Sequence, residues 1–201
     1  MAFLRVKTIQ KKHGSKTRKY NYVYEVENYR DGKKIKQKTI KFLGKLIKLN
    51  INSTINFNDF NAVIADIIER CDTKEKVVEE LIKQYLKKLN FKQKDFRFVK
   101  GKLIVDLKNK KLFQNNKNVF LKINDGFLGE YSLKQLITAK NYKEIAKWLI
   151  LSGLMPKPKI FDETDDTFKN IIKIATKFGQ VENLPKMKVI NFEEFVKKIG
   201  Y

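Results

Sequence analysis

The chain is poor in the residues that staple small folds or carry common chemistry: among 201 residues it has one cysteine, one histidine and three prolines. A lone cysteine, Cys71, excludes an intramolecular disulfide and fits a reducing, cytoplasmic setting. It falls within a helical apolar pattern and reads as a packing residue. No run of about 18 apolar residues occurs, which excludes a membrane-spanning helix and a membrane partner of that kind. The opening Met1-Ala2-Phe3-Leu4-Arg5-Val6-Lys7 is too charged for a signal-peptide core. No phosphate loop, dinucleotide fingerprint or nucleophile elbow is present. The histidine, His13, has no cysteine or carboxylate cluster beside it to build a metal site. Asp162, Glu163, Asp165 and Asp166 form one acidic knot, but two-metal nucleases need carboxylates converging from separate elements. Charges at a helix N-terminus account for this knot better. Catalytic residues, metals and cofactors are therefore not expected, and a metal-dependent nuclease or recombination enzyme built on the knot is the alternative.

What the chain has in excess is positive charge. Forty-four basic residues against 22 acidic ones give +22, while an apolar fraction of 42% is enough for a folded core. Self-repulsion of that size opposes compaction and favours a polyanionic partner. The excess is uneven: residues 1–50 carry 15 basic and 3 acidic groups, whereas residues 51–90 carry 6 and 7. A uniform lysine bias from an A+T-rich genome would not concentrate charge in this way. Lysine supplies 39 of the 44 basic groups; as a hydrated point charge it suits phosphate contact better than bidentate base reading.

The pattern of residues predicts an α+β fold: a three-stranded antiparallel β-meander, a central helical pair, a short β-hairpin region and a helical C-terminal part. Phe3–Lys11 is the first strand. Tyr20–Val26, aromatic and β-branched, is the second. Asp31-Gly32 is read as the hairpin turn, and Lys34–Phe42 returns, ending at Gly44. This basic meander, residues 1–48, is expected to be one domain and residues 58–201 an α+β second, with 45–57 as linker. Phe60, Val63, Ile64, Ile67, Ile68 and Cys71 share a helical face. Asp72 and Glu75 suggest a capping box before a second helix that runs to about Asn90. The underside of the N-terminal sheet is one candidate partner for these apolar faces, and self-association through 58–90 is another. Residues 95–124 form the β-region, with strands at Leu103–Val105 and Val119–Ile123 joined by an asparagine-rich turn. The helical part, 132–200, is expected to hold helices at Tyr142–Ser152 and Thr167–Phe178, a short strand at Met187–Ile190 and a final helix capped by Asn191.

Candidate binding residues lie in the meander: Arg18, Lys19, Arg30, Lys33, Lys34, Lys36, Lys38 and Lys41. By the two-residue period of a strand, Lys34, Lys36 and Lys38 share one face. A row of like charges there is destabilising unless a polyanion neutralises it. Arg30 is the residue best able to pin a phosphate with two bonds. Tyr20, Tyr22 and Tyr24 also share a face. They could stack on bases of single-stranded nucleic acid, but the stronger expectation is that they form the core under the sheet.

The stretch Tyr22–Gly44, with its tyrosine-rich strand, its Glu27-Asn28-Tyr29-Arg30-Asp31-Gly32-Lys33 turn and its closing Phe42-Leu43-Gly44, resembles the N-terminal β-module of some archaeal and bacterial DDE-type transposases and of small archaeal proteins. Asp31-Gly32 replaces Gly-Gly and Phe42 replaces a tyrosine. The resemblance covers about 45 residues and implies nucleic-acid handling and a mobile-element or archaeal origin. It does not imply transposase activity, because the remainder is too short for a complete DDE catalytic domain. The expectation is a non-enzymatic protein that grips phosphate backbones of duplex DNA or structured RNA. The alternatives are a ribosome-associated RNA-binding factor, the nuclease named above, and a protein–protein adaptor using the 58–90 helices.

Overall fold

The computed structural model describes residues 2–49, 57–159 and 164–180. Three long strands come first: β1 (Ala2–His13), β2 (Lys16–Asp31) and β3 (Lys34–Ile47). Both hairpins turn on two residues, Gly14-Ser15 and Gly32-Lys33, with positive φ only at the glycine. A glycine in the first central position is the signature of a type II′ turn, whose twist suits antiparallel strands. The turn is thus one residue later than Asp31-Gly32: Asp31 closes β2 and pairs with Lys34.

β3 does not end at Gly44. It continues to Ile47, and Lys45–Ile47 lies parallel to Val119–Leu121, so the first three residues of the anticipated linker are strand. Gly44 sits at φ +152°, and a Cβ there would come within 2.8 Å of the Asn118 carbonyl oxygen. Only glycine allows both that backbone and that approach, which lets the N-terminal sheet join the rest of the molecule.

The helical pair follows as α1 (Phe57–Arg70) and α2 (Lys74–Lys88). The cap of α2 is Thr73, whose hydroxyl accepts from the Lys76 amide at 3.3 Å, rather than Asp72. Four short strands come next, β4 (Lys92–Lys94), β5 (Arg97–Lys100), β6 (Leu103–Asp106) and β7 (Lys111–Gln114), then β8 (Lys117–Ile123) and β9 (Gly126–Leu128). The sheet order is β1-β2-β3-β8-β7-β6-β5-β4, with β9 on β8. Three helices close the described chain: α3 (Glu130–Thr138), α4 (Tyr142–Leu151) and α5 (Asp166–Phe178). The strand expected at 187–190 and the helix after Asn191 lie outside the described residues.

The apolar faces of α1 and α2 are covered within the chain, in a core to which the N-terminal sheet adds Ile47 of β3. Ile64, Ile67, Val77, Leu81, Tyr85 and Leu86 join one large core with residues of β5–β9, α3, α4 and α5. The N-terminal sheet has a core of its own, Leu4, Val23, Leu46 and Phe120, flanked by Tyr131 of α3 and Trp148 of α4. Trp148 packs against both cores.

One buried carboxylate, Asp106 of β6, is expected to make the strands around it sensitive to acid. Asp106 accepts from Arg97 Nε at 3.1 Å and from the Asn109 amide at 2.9 Å. Burial acts to raise its pKa, but these hydrogen bonds and the guanidinium charge outweigh it and hold the carboxyl below the usual range. A depressed folded-state pKa contributes stability above the unfolded value of about 4, lost as pH falls through the folded value. Asp106→Asn is therefore expected to flatten the acid side of a urea-midpoint against pH profile. An unchanged acid limb would show that Asp106 is not its source.

Candidate nucleic-acid interface

Alternation along each strand, combined with the pairing register, sorts the N-terminal sheet into two faces. One carries Leu4, Val6 and Val23 and packs on the body. There Tyr131 Oη donates to Glu25 Oε1 at 2.7 Å. Burial, and then the Glu25 carboxylate, push the Tyr131 hydroxyl pKa up, so it stays a donor. The same face carries Lys19 and, further along β3, Lys34, Lys36, Lys38 and Lys41. Lys41 joins this row despite its odd number, because a register shift between Glu25 and Val26 resets the alternation.

That lysine row is matched by acids across the strand. Lys34 pairs with Asp31, Lys38 with Glu27 and Lys41 with Glu25, while Lys36 forms an ion pair with Asp31. Opposite charges directly across a sheet stabilise it, so the row does not require an external polyanion, as the sequence suggested it would.

The opposite face has no such balance. Arg5, Lys7 and Lys11 of β1, Lys16, Arg18 and Arg30 of β2, and Lys45 of β3 all fall on it by register. Among the described residues of these three strands, none on this face is acidic. Lys11 lies directly across from Arg18, and His13 from Lys16. Like charges in that position repel, here on a ribbon that pairs with no third strand among the described residues. Arg5, Lys7, Lys11, Lys16 and Lys45 were missed as candidates. The alternation of basic residues at 5, 7 and 11 was visible, but their registration against Arg18 and the tyrosines was not. Of the sequence candidates, Arg18 and Arg30 lie on this face, Lys33 is in the turn, and Lys19, Lys34, Lys36, Lys38 and Lys41 lie on the other.

The tyrosines also belong to this face and do not form the core; Val23 takes that place. Tyr20, Tyr22 and Tyr24 are half-buried, and they line up with Phe42 into one aromatic row. Ring centroids are 6.4 Å apart for Tyr20 and Tyr22, 5.7 Å for Tyr22 and Phe42, and 5.5 Å for Tyr24 and Phe42. Lys7 Nζ stands 5.0 Å over the Tyr24 ring and Lys45 Nζ 5.4 Å over Tyr20, within cation–π range. Lys7 Nζ also donates to Thr39 Oγ1 at 2.8 Å. At the ribbon tip the Tyr20 hydroxyl and His13 Nε2 share a hydrogen bond of 3.2 Å.

The described half of the acidic knot, Asp165 and Asp166, is taken up by local contacts. Asp165 caps α5, accepting from the Phe168 amide at 3.0 Å, and Asp166 pairs with Lys169 at 3.2 Å. Asp162 and Glu163 lie outside the described residues. Among the described residues no group of three or more histidine, cysteine, aspartate or glutamate side chains is placed to hold a metal ion. No described helix is long and apolar enough to cross a membrane.

Fold and site together define an α+β protein that presents a cationic, aromatic antiparallel sheet on one side of a helix-packed body. Residues 6–95 match the family model described as IS1634 family transposase, N-terminal domain. The match spans most of β1, all of β2 and β3, both helices of the pair and β4, somewhat under half of the chain. It agrees with the resemblance carried by Tyr22–Gly44, extends it through the helices, and connects the chain with mobile elements. No curated protein and no solved structure matches the chain.

Proposed function

We propose that this chain binds DNA, without catalysing a reaction on it, by gripping phosphate backbones with its N-terminal sheet. The observation that carries this reading is the acid-free face on which Lys11 opposes Arg18. A folded protein tolerates such a pair at a cost, and a polyanion removes the cost while releasing its own counterions. The ribbon geometry suits the role, since a two-stranded β-ribbon fits a major groove. The similarity of residues 6–95 to a transposase N-terminal domain supports DNA over RNA as the polyanion.

Fluorescence anisotropy with duplex DNA and duplex RNA at a series of salt concentrations tests the reading. Several phosphate contacts imply a log–log salt slope of roughly −4 to −8. Affinity indifferent to salt would overturn the mechanism, and a preference for RNA would transfer it to a ribosomal or RNA partner.

The two faces make distinguishable contributions. Gln substitution of Lys34, Lys36 and Lys38 is expected to weaken binding less than about tenfold, because Asp31 and Glu27 beside them offset most of their charge and exposed pairs contribute little. The same assay checks this, and a larger loss would return the grip to the lysine row of β3.

A further inference from the structure

We infer that the aromatic row of the acid-free face takes the unstacked bases of single-stranded nucleic acid, while the surrounding cations hold its phosphates. This deepens the proposed function and rests on it: it names the form of nucleic acid that this face selects.

The row is a feature that phosphate binding leaves unexplained. Lysines and arginines alone would grip a backbone. Yet four rings lie side by side across β2 and β3, and Phe42 is left 55% exposed. Ile9, on the same face beside Tyr20, is 38% exposed. An apolar ring held in water beside three half-buried ones carries a standing cost that a stacking ligand would remove. The body does not cover them, since Tyr131 and Trp148 pack on the opposite face.

The ligand class follows from what can satisfy rings and charges together. In a duplex the base faces are occupied by their neighbours, and a row of rings lying on a sheet cannot reach into the stack. An acidic protein surface would match the cations and leave the rings wet. An unpaired strand offers both a π-face and a phosphate at each nucleotide, and aromatic side chains in a basic groove accept it with little regard for sequence. Tyr20 and Tyr22 lie 6.4 Å apart with planes 28° from parallel, while Phe42 is tilted by 60° to Tyr22 and 63° to Tyr24, so the row offers ring faces and edges in turn to successive bases. Lys7 and Lys45, standing over Tyr24 and Tyr20, are placed to exchange a ring for a phosphate as a base moves in.

The test uses the whole chain and three probes of equal length: a single-stranded DNA oligonucleotide, an abasic strand carrying the same phosphates without bases, and the duplex. The single strand is expected to bind at least about tenfold more tightly than the abasic strand, given the usual worth of base–aromatic stacking. The double variant Tyr22→Leu with Phe42→Leu is expected to erase that difference while changing duplex affinity less than about twofold. Equal binding of abasic and ordinary strands by the wild-type chain would overturn the inference, and salt-sensitive duplex binding would then still uphold the proposed function. Binding to none of the three would overturn both. Should the double variant fail to fold, photocrosslinking of the wild-type chain to a bromouracil-substituted strand replaces it. Crosslinks at Tyr20, Tyr22, Tyr24 or Phe42 support the inference, and crosslinks only elsewhere overturn it.

Discussion

Changing Arg5, Lys7, Lys11 and Arg18 together to glutamine is expected to weaken duplex DNA binding on the order of a thousandfold at about 0.1 M salt, since each lost phosphate contact forgoes about 0.9 released counterions. The same change is expected to flatten the log–log salt slope by about 3 to 4, which separates lost contacts from a general loss of affinity. These four residues come from two strands but share the acid-free face, with Lys11 across from Arg18. In the absence of DNA the variant should be about as stable as the parent, because loss of the repelling Lys11–Arg18 pair offsets loss of the Lys7 contacts with Thr39 and Tyr24. Thermal unfolding beside anisotropy checks both halves. Weak binding together with a large fall in unfolding temperature would mean that the sheet had been damaged rather than disarmed.

Truncation of Phe120 to alanine is expected to destabilise the chain by about 3–5 kcal/mol, the usual range for a buried phenylalanine. Phe120 is 2% exposed and belongs to the small core with Leu4, Val23 and Leu46, which joins the N-terminal sheet to the body. Its ring is also held against Gly129, where a Cβ would come within 2.6 Å of it. For a chain of this size the loss corresponds to a fall of roughly 10 °C in unfolding midpoint. Trp148, the only tryptophan, packs on both cores, so its fluorescence reports whether they melt together. A loss below about 1 kcal/mol would show that the pairing of β3 with β8, not this core, holds the sheet in place.

Much of the local structure was legible in the amino-acid sequence. Helices α4 and α5 and the strand Val119–Ile123 followed from apolar spacing, and their ends from Gly153 and Gly179. The short strands β4, β5 and β7 were not legible, because Lys92–Lys94 is wholly polar and Arg97–Lys100 and Lys111–Gln114 each carry just two apolar residues, too short a run to show a period. β4 is held in the sheet by pairing with β5, while β5 and β7 add one buried side chain each, Phe98 and Leu112, to their pairing with β6. The cap of α2 was misplaced by one residue because Asp72 and Thr73 are both good caps, and only the backbone decides which hydroxyl or carboxylate reaches the free amide.

The candidate site divided along the same line. That the N-terminal quarter is cationic, stranded and aromatic is fixed by composition and by a two-residue period, both properties of the chain itself. Which face of each strand meets water is decided elsewhere. It depends on the placing of Tyr131 and Trp148 beneath Val23, on the contact allowed by Gly44, and on the register that sets Lys34, Lys38 and Lys41 against acids while leaving Lys11 against Arg18. Alternation says that two faces exist and differ. A one-residue shift in pairing, or burial of the other side, would exchange their roles without altering any local preference. The sequence therefore determined that this protein has a basic aromatic sheet, and the tertiary structure alone decided that the tyrosines lie half-buried on its outer face and not in its core.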